Sequence, residues 1–146
     1  MQRSWARWRG LTSQQKVLFF LLVFALPATG LLIRTFGFQR ASNICGRVGG
    51  QAPLRPVSPL DIADAQSLAR LAAIAGRRGP VSASCLRQSL VVRAWLRRRG
   101  LDAQLKIGVK KNGAALDAHA WVELGGVALA QPELSHAPFG VPDLGA

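Results

Sequence analysis

The sequence predicts an α+β domain: a central cysteine-bearing helix packed on a small antiparallel sheet, preceded by an N-terminal hydrophobic helix. Three observations predict it. Apolar residues recur at three- and four-residue intervals over 62–73 and crowd the stretch 84–99. Beyond Gly100, short apolar segments alternate or run between turn signals. An uncharged run, 17–33, stands ahead of everything else. The chain has 146 residues, enough for one compact domain, and its 49% hydrophobic content excludes disorder throughout.

Residues 1–16 are basic and aromatic, with Trp5 and Trp8 among the arginines. The uncharged run follows, bounded by Lys16 and Arg34. As a helix it covers roughly 25 Å, short of the roughly 30 Å hydrocarbon core of a bilayer. Pro27 and Gly30 weaken its second half, although both are tolerated in membranes. Three readings stand for it: a membrane-associated helix, a helix packed on the domain or on a partner, and a secretory signal peptide. The last lacks an A-x-A site, because Ala25 and Ala28 are three apart rather than two. Four basic residues precede the run and four lie in 34–55, so charge does not orient it.

Gly49, Gly50, Pro53, Pro56 and Pro59 mark 46–59 as a linker. The organisation read from this is a basic N-terminus with a hydrophobic helix over 1–45, the linker, and a folded domain over 60–146. Ser58-Pro59-Leu60-Asp61 introduces the first domain helix, with Ile62, Ala65, Leu68, Ala69, Ala72 and Ala73 on one face. Asp61 and Asp64 near its start and Arg77 and Arg78 past its end complement the helix dipole. The helix over 84–99 is apolar around most of its circumference, as a helix buried among several neighbours would be. Arg97, Arg98 and Arg99 close it and Gly100 ends it.

Residues 101–109 alternate as a half-buried strand does, and Asn112-Gly113 signals a hairpin. A second strand over 116–124, a Gly125-Gly126 turn and a third strand over 127–130 complete a meander. The tail, 132–146, holds Pro132, Pro138 and Pro142 and is expected to be irregular.

Lys and Arg number 19 against seven acids, a formal net charge of +12, and residues 1–60 contain no Asp or Glu. Such a field attracts anionic lipid, nucleic acid or an acidic peptide. No zinc-finger spacing or RNP-type motif is present, so no specific nucleic-acid binding is expected. Two cysteines, Cys45 and Cys85, are too few for a disulfide framework, and both read as thiols of a reducing, cytoplasmic setting. A zinc site from Cys45, Cys85, His119 and His136 would lack every usual ligand spacing, and neither a metal nor another cofactor is expected.

The chemistry concentrates in Cys85 and His119. A thiol at a helix start meets the positive end of the dipole, which favours the attacking thiolate. An imidazole on a neighbouring strand can pair with that thiolate and then protonate a leaving amine. The 34 residues between them are what a helix, a strand and a hairpin occupy. Trp121 reads as core on the helix side of the sheet. His136 reads as solvent-exposed.

Ser84-Cys85-Leu86-x-x-Ser89-Leu90, Trp95-Leu96-x-Arg98-x-Gly100, Ile107-Gly108-Val109 and Ala118-His119-Ala120-Trp121-Val122-Glu123 together resemble the leader peptidases of lasso-peptide biosynthesis. These are processing proteins of the transglutaminase-like cysteine-protease superfamily, and the resemblance covers about residues 58–131. It implies a papain/transglutaminase-like core and removal of the leader from a ribosomally made precursor peptide. It also implies a separate leader-binding protein and an ATP-dependent macrolactam synthetase as partners. The family's nucleophile falls on Cys85 and its general base on His119. Where the family usually places an aspartate, about twelve residues after the histidine, this chain has Gln131. An amide carbonyl can accept the ring proton and fix the tautomer without supplying charge, so Gln131 is the expected orienter. Asp117, Glu123 and Glu133 are the other acids nearby, Glu123 roughly 13 Å along the strand. The competing functions are a transglutaminase-like acyl transferase or peptidase of another modified-peptide pathway, and a non-catalytic membrane-associated binding protein. Where the run 17–33 is membrane-associated rather than packed on protein, it is the segment that makes the membrane contact.

Overall fold

The computed structural model describes residues 12–50, 52–78, 84–112, 115–130 and 137–139. Along the chain these form α1 (Ser13–Val48), α2 (Pro59–Arg78), α3 (Cys85–Arg98), β1 (Ala103–Asn112), β2 (Ala115–Leu124), β3 (Val127–Ala128) and β4 (Ala137–Phe139). The predicted mixture of helices with a small antiparallel sheet behind one long apolar N-terminal helix is what the structure contains.

A reciprocal capping box starts α1. The Thr12 hydroxyl accepts from the Gln15 N–H, and the Gln15 side chain accepts from the Thr12 N–H. The helix is not straight. Gly37 sits at φ 76° and ψ 167°, a region open essentially to glycine alone, and divides α1 into two limbs. The chain folds back there far enough to bring Thr29 beside Cys45, residues a straight helix would hold about 24 Å apart. The uncharged run therefore lies in the first limb, and the second limb carries helix on to Val48, into the stretch read as linker.

Residues 52–58 form an extended strap. The Arg55 N–H donates to the Gly100 carbonyl at 2.9 Å, and the Arg55 guanidinium forks onto Asp61 at 2.8 and 2.7 Å. Gly100 has φ 73°, and a Cβ there would lie 2.6 Å from the Pro53 carbonyl oxygen, so the crossing of strap and α3 terminus admits no side chain. Pro59 takes the first position of α2. Ser58 and Asp61 cap each other: Asp61 accepts from the Ser58 N–H and hydroxyl, and the Ser58 hydroxyl accepts from the Asp61 N–H.

Helix α3 packs against α1, α2, β1 and β2, the central placement its all-round apolar surface predicts. Arg97 and Arg98 lie in its last turn, and Arg97 pairs with Asp102 at 2.8 Å. The core joins Leu22 and Leu26 of α1 to Leu68 and Ala72 of α2, Val92 and Leu96 of α3, and Leu101, Val122, Leu124 and Leu129. Leu22 and Leu26 are each 1% exposed, so the first limb of α1 is part of the domain core. Truncating either to Ala should cost about 2–5 kcal/mol.

Strand order is β3-β2-β1-β4. β1 and β2 pair antiparallel from Ala103 opposite Leu124 to Asn112 opposite Ala115, so the chain reverses where Asn112-Gly113 predicts. Two expectations need correction. The third strand is only Val127–Ala128, because Ala130 takes a left-handed φ of 54° and turns the chain out of the ladder. The tail is not wholly irregular: Ala137–Phe139 pairs with β1, Val109 opposite Ala137 and Ile107 opposite Phe139. An unpaired sheet edge recruits whatever backbone reaches it, and Pro138 is tolerated because β4 is itself an edge strand.

Candidate active site

Cys85 is the first residue of α3. Its N-cap, Ser84, is extended at φ −63° and ψ 158° and makes no side-chain cap bond; the intrahelical ladder begins with the Gln88 N–H on the Ser84 carbonyl. The N–H groups of the first turn therefore face out of the helix beside the thiol, at the positive end of its dipole. His119 lies on β2 directly opposite Gly108 of β1, so no side chain crowds it from across the ladder. Its ring stacks on the Trp121 indole, centroids 6.2 Å apart and planes within 18°.

Cys85 and His119 line one open pocket of about 60 Å³ between α2, α3, β2 and the turn after β3. Gln88, Ser89 and Trp121 line it as well, with Ala69 and Ala73 from α2 and Leu129 and Ala130 from the turn after β3. Both candidates are half-buried. The pocket has room for one small group at its floor and opens to the surface, which suits a backbone lying across it better than an enclosed metabolite.

Three hydrogen bonds from two side chains set this geometry. The buried Ser89 hydroxyl, one turn along α3 from Cys85, donates to the carbonyl of Ala120 at 3.1 Å. The Gln66 amide of α2 grips the turn after β3, donating to the Ala128 carbonyl at 3.1 Å and accepting from the Ala130 N–H at 2.8 Å. Neither residue was singled out as functional from the sequence. Ser89 has a legible signal, a hydroxyl four residues from the cysteine on the same helix face. Gln66 has only its place beside the buried stripe of α2.

Cys45 is elsewhere, on the second limb of α1. Burial pushes its thiol above the ordinary range, outweighing the Thr29 hydrogen bond and Arg93, which act the other way. It is a neutral structural thiol, and Cys85 is the cysteine at the pocket.

Gln131, the expected orienter, lies outside the described residues, as do Glu133 and His136; Ala130, its neighbour, lines the pocket. The side chain of Asp117 is also outside the described set. Glu123 accepts from the Trp121 Nε1–H at 3.1 Å. Trp121 is buried, 2% exposed, and lines the pocket with the α2 and α3 residues; it shares its strand face with His119 and Glu123, while Val122 and Leu124 alternate into the core. Among the described residues no group of three His, Cys, Asp or Glu side chains could hold a metal.

The profile of the transglutaminase-like superfamily matches residues 29–141, from the first limb of α1 through β4. The chain belongs to that superfamily, whose activities are those of cysteine proteases and acyl transferases. No curated protein and no solved structure matches it.

Proposed function

We propose that the chain is a cysteine peptidase that removes the leader from a ribosomally made precursor peptide of the lasso class. One observation carries the reading: Cys85, at a helix start, and His119, on the facing strand, line the same open pocket of a transglutaminase-like domain. His119 takes the Cys85 proton, and the Cys85 sulfur attacks the scissile carbonyl. The first-turn N–H groups of α3 receive the oxyanion. Collapse breaks the C–N bond, leaves a thioester on Cys85, and His119 returns its proton to the departing amine of the core peptide. Water, deprotonated by His119, then hydrolyses the thioester to the leader carboxylate and restores the thiol. Gln131 orients the His119 ring through its side-chain carbonyl.

The small, apolar floor and open rim favour an extended peptide as substrate. Recognition of the leader belongs to a separate leader-binding protein, and the released core passes to an ATP-dependent macrolactam synthetase. The protein works on the cytoplasmic side, with α1 available for membrane contact.

The test is mass spectrometry of a candidate lasso precursor incubated with the full chain and its leader-binding partner. Two fragments summing to the precursor plus one water are expected, and Cys85→Ala or His119→Ala should each abolish them without additivity. Cleavage by Cys85→Ala would overturn the reading. A cross-linked product formed with loss of ammonia would assign the domain to acyl transfer instead. Gln131→Ala should cost clearly less than loss of Cys85; parent-like rates at every pH would remove Gln131 from the mechanism.

A further inference from the structure

α1 carries two apolar stripes, and the fold uses one. At about 100° per residue, Leu22, Leu26 and Thr29 share the side that is buried in the domain. Val17, Phe20, Leu21, Phe24 and Leu31 fall within an arc of roughly 100° on the opposite side. These are exposed, Phe24 at 74% and Leu31 at 63%. Mean hydropathy of the helix reaches 2.3 over its most apolar window, yet only 17% of that window is buried. A helix apolar all round belongs in surroundings apolar all round. Here one side has them and the other does not.

The rim of the exposed stripe indicates what covers it. Lys16 and Arg34 stand eighteen residues apart, five turns of helix, and so lie on one line about a quarter-turn from the stripe. With the stripe in acyl chains, that line sits at headgroup level, where long cationic side chains place their charge. The chain has a formal charge of +12 and no acid in its first 60 residues, which complements an anionic surface. Between Val17 and Leu31 the stripe presents no polar side chain, whereas protein interfaces carry a hydrogen bond for every 100–200 Å² or so. A single straight span is disfavoured by the fold itself. Leu22 and Leu26 are held in the domain core, and α1 doubles back at Gly37 before reaching the residues beyond.

We propose that α1 docks the protein on a negatively charged membrane by lying in the plane of the interface. Val17, Phe20, Phe24 and Leu31 enter the acyl boundary, Lys16 and Arg34 meet lipid phosphates, and the opposite face holds the domain. This surface is separate from the pocket, and the proposal stands whether or not the domain is a peptidase.

The experiment is flotation of the full-length protein with preformed vesicles, phosphatidylcholine alone or with phosphatidylglycerol, alongside size-exclusion chromatography. Binding to the preformed anionic vesicles is expected, weaker on the neutral ones. Phe20→Ser with Phe24→Ser should lower affinity at least about tenfold, and Lys16→Gln or Arg34→Gln about fivefold each on anionic vesicles only. Circular dichroism should match the parent, because all four positions lie outside the buried core. Three outcomes would overturn the proposal. One is no binding to preformed vesicles, or incorporation only from detergent with resistance to carbonate, which means a span. Another is binding that the phenylalanine pair leaves unchanged. The third is a dimer that the same pair dissociates, which means that a second copy covers the stripe.

Discussion

The Ser89 hydroxyl donates to the Ala120 carbonyl at 3.1 Å, and this bond joins the helix that begins at Cys85 to the strand position next to His119. Ser89 and Ala120 are both buried, 6% and 5% exposed, so no water can replace the bond cheaply. It fixes the distance between two elements whose sequence separation says nothing about their approach. Ser89→Ala should lower stability by about 1–3 kcal/mol by stranding the carbonyl. It should also slow precursor cleavage by more than the folded fraction explains. Denaturant titration beside single-turnover rates separates the two effects.

Gln66 acts at a distance from the proposed chemistry by holding the turn at Ala128 and Ala130. Gln66→Leu removes a donor and an acceptor at once, and Ala130 is released from its left-handed conformation. The expected result is a loss of about 1–3 kcal/mol, with turnover reduced more than substrate affinity. Unchanged kcat in a folded Gln66→Leu variant would make the clamp purely structural.

The two cysteines should separate cleanly under alkylation. Burial keeps Cys45 a neutral thiol through neutral pH, and the neutral thiol is the unreactive form. Iodoacetamide at pH 7 should therefore label Cys85 first, and Cys85→Ser should leave the protein nearly unlabelled. Cys45 labelling should rise only as pH climbs beyond the ordinary thiol range. Peptide mapping after timed quenching reads both sites, and equal rates at Cys45 and Cys85 would contradict the assignment.

Asp61 links the strap to the start of α2. The Arg55 guanidinium first, and then the Ser58 hydroxyl and N–H, hold its carboxyl well below the usual carboxylate range. A lowered folded pKa contributes stability that is complete above the unfolded value, near 3.9, and disappears as pH falls through the folded one. Parent and Asp61→Asn should thus differ in Tm at pH 7, and the gap should narrow progressively below about pH 4. A gap constant from pH 7 to pH 2 would place the effect in packing.

Gly37 occupies backbone space that other residues enter at a cost of about 1–3 kcal/mol. Gly37→Ala should destabilise the protein by that amount and weaken the Thr29–Cys45 contact that closes the two limbs. Faster Cys45 alkylation in Gly37→Ala, read by mass spectrometry, is the specific sign. A more stable Gly37→Ala protein would mean that the limbs do not fold back in solution.

Local signals carried most of the secondary structure. The three- and four-residue spacing of Ala65, Leu68, Ala69 and Ala72 recurs as the buried face of α2, and Asn112-Gly113 marks the β1–β2 reversal. Failures came where a long-range partner decided the outcome. β4 forms around Pro138 because β1 offers an open edge, a fact invisible in a proline-rich tail read by itself. Trp121 is buried as expected, and its place beside His119 at the pocket rests on the register of β1 against β2, which belongs to the whole sheet.

The sequence by itself determined the order of elements, the charge field and the two residue types that chemistry needs, because periodicity, turn residues and the placement of Cys85 at a helix start act over a few residues. Only the tertiary structure decided that Cys85 and His119 line one pocket while Cys45 lies elsewhere, and that Ser89 and Gln66 tie its elements together. It also decided that α1 gives one face to the core while keeping the other exposed. The physical reason is common to all three. Burial and hydrogen bonding between distant segments depend on which surfaces remain once every other surface is paired, and no local stretch of chain holds that information.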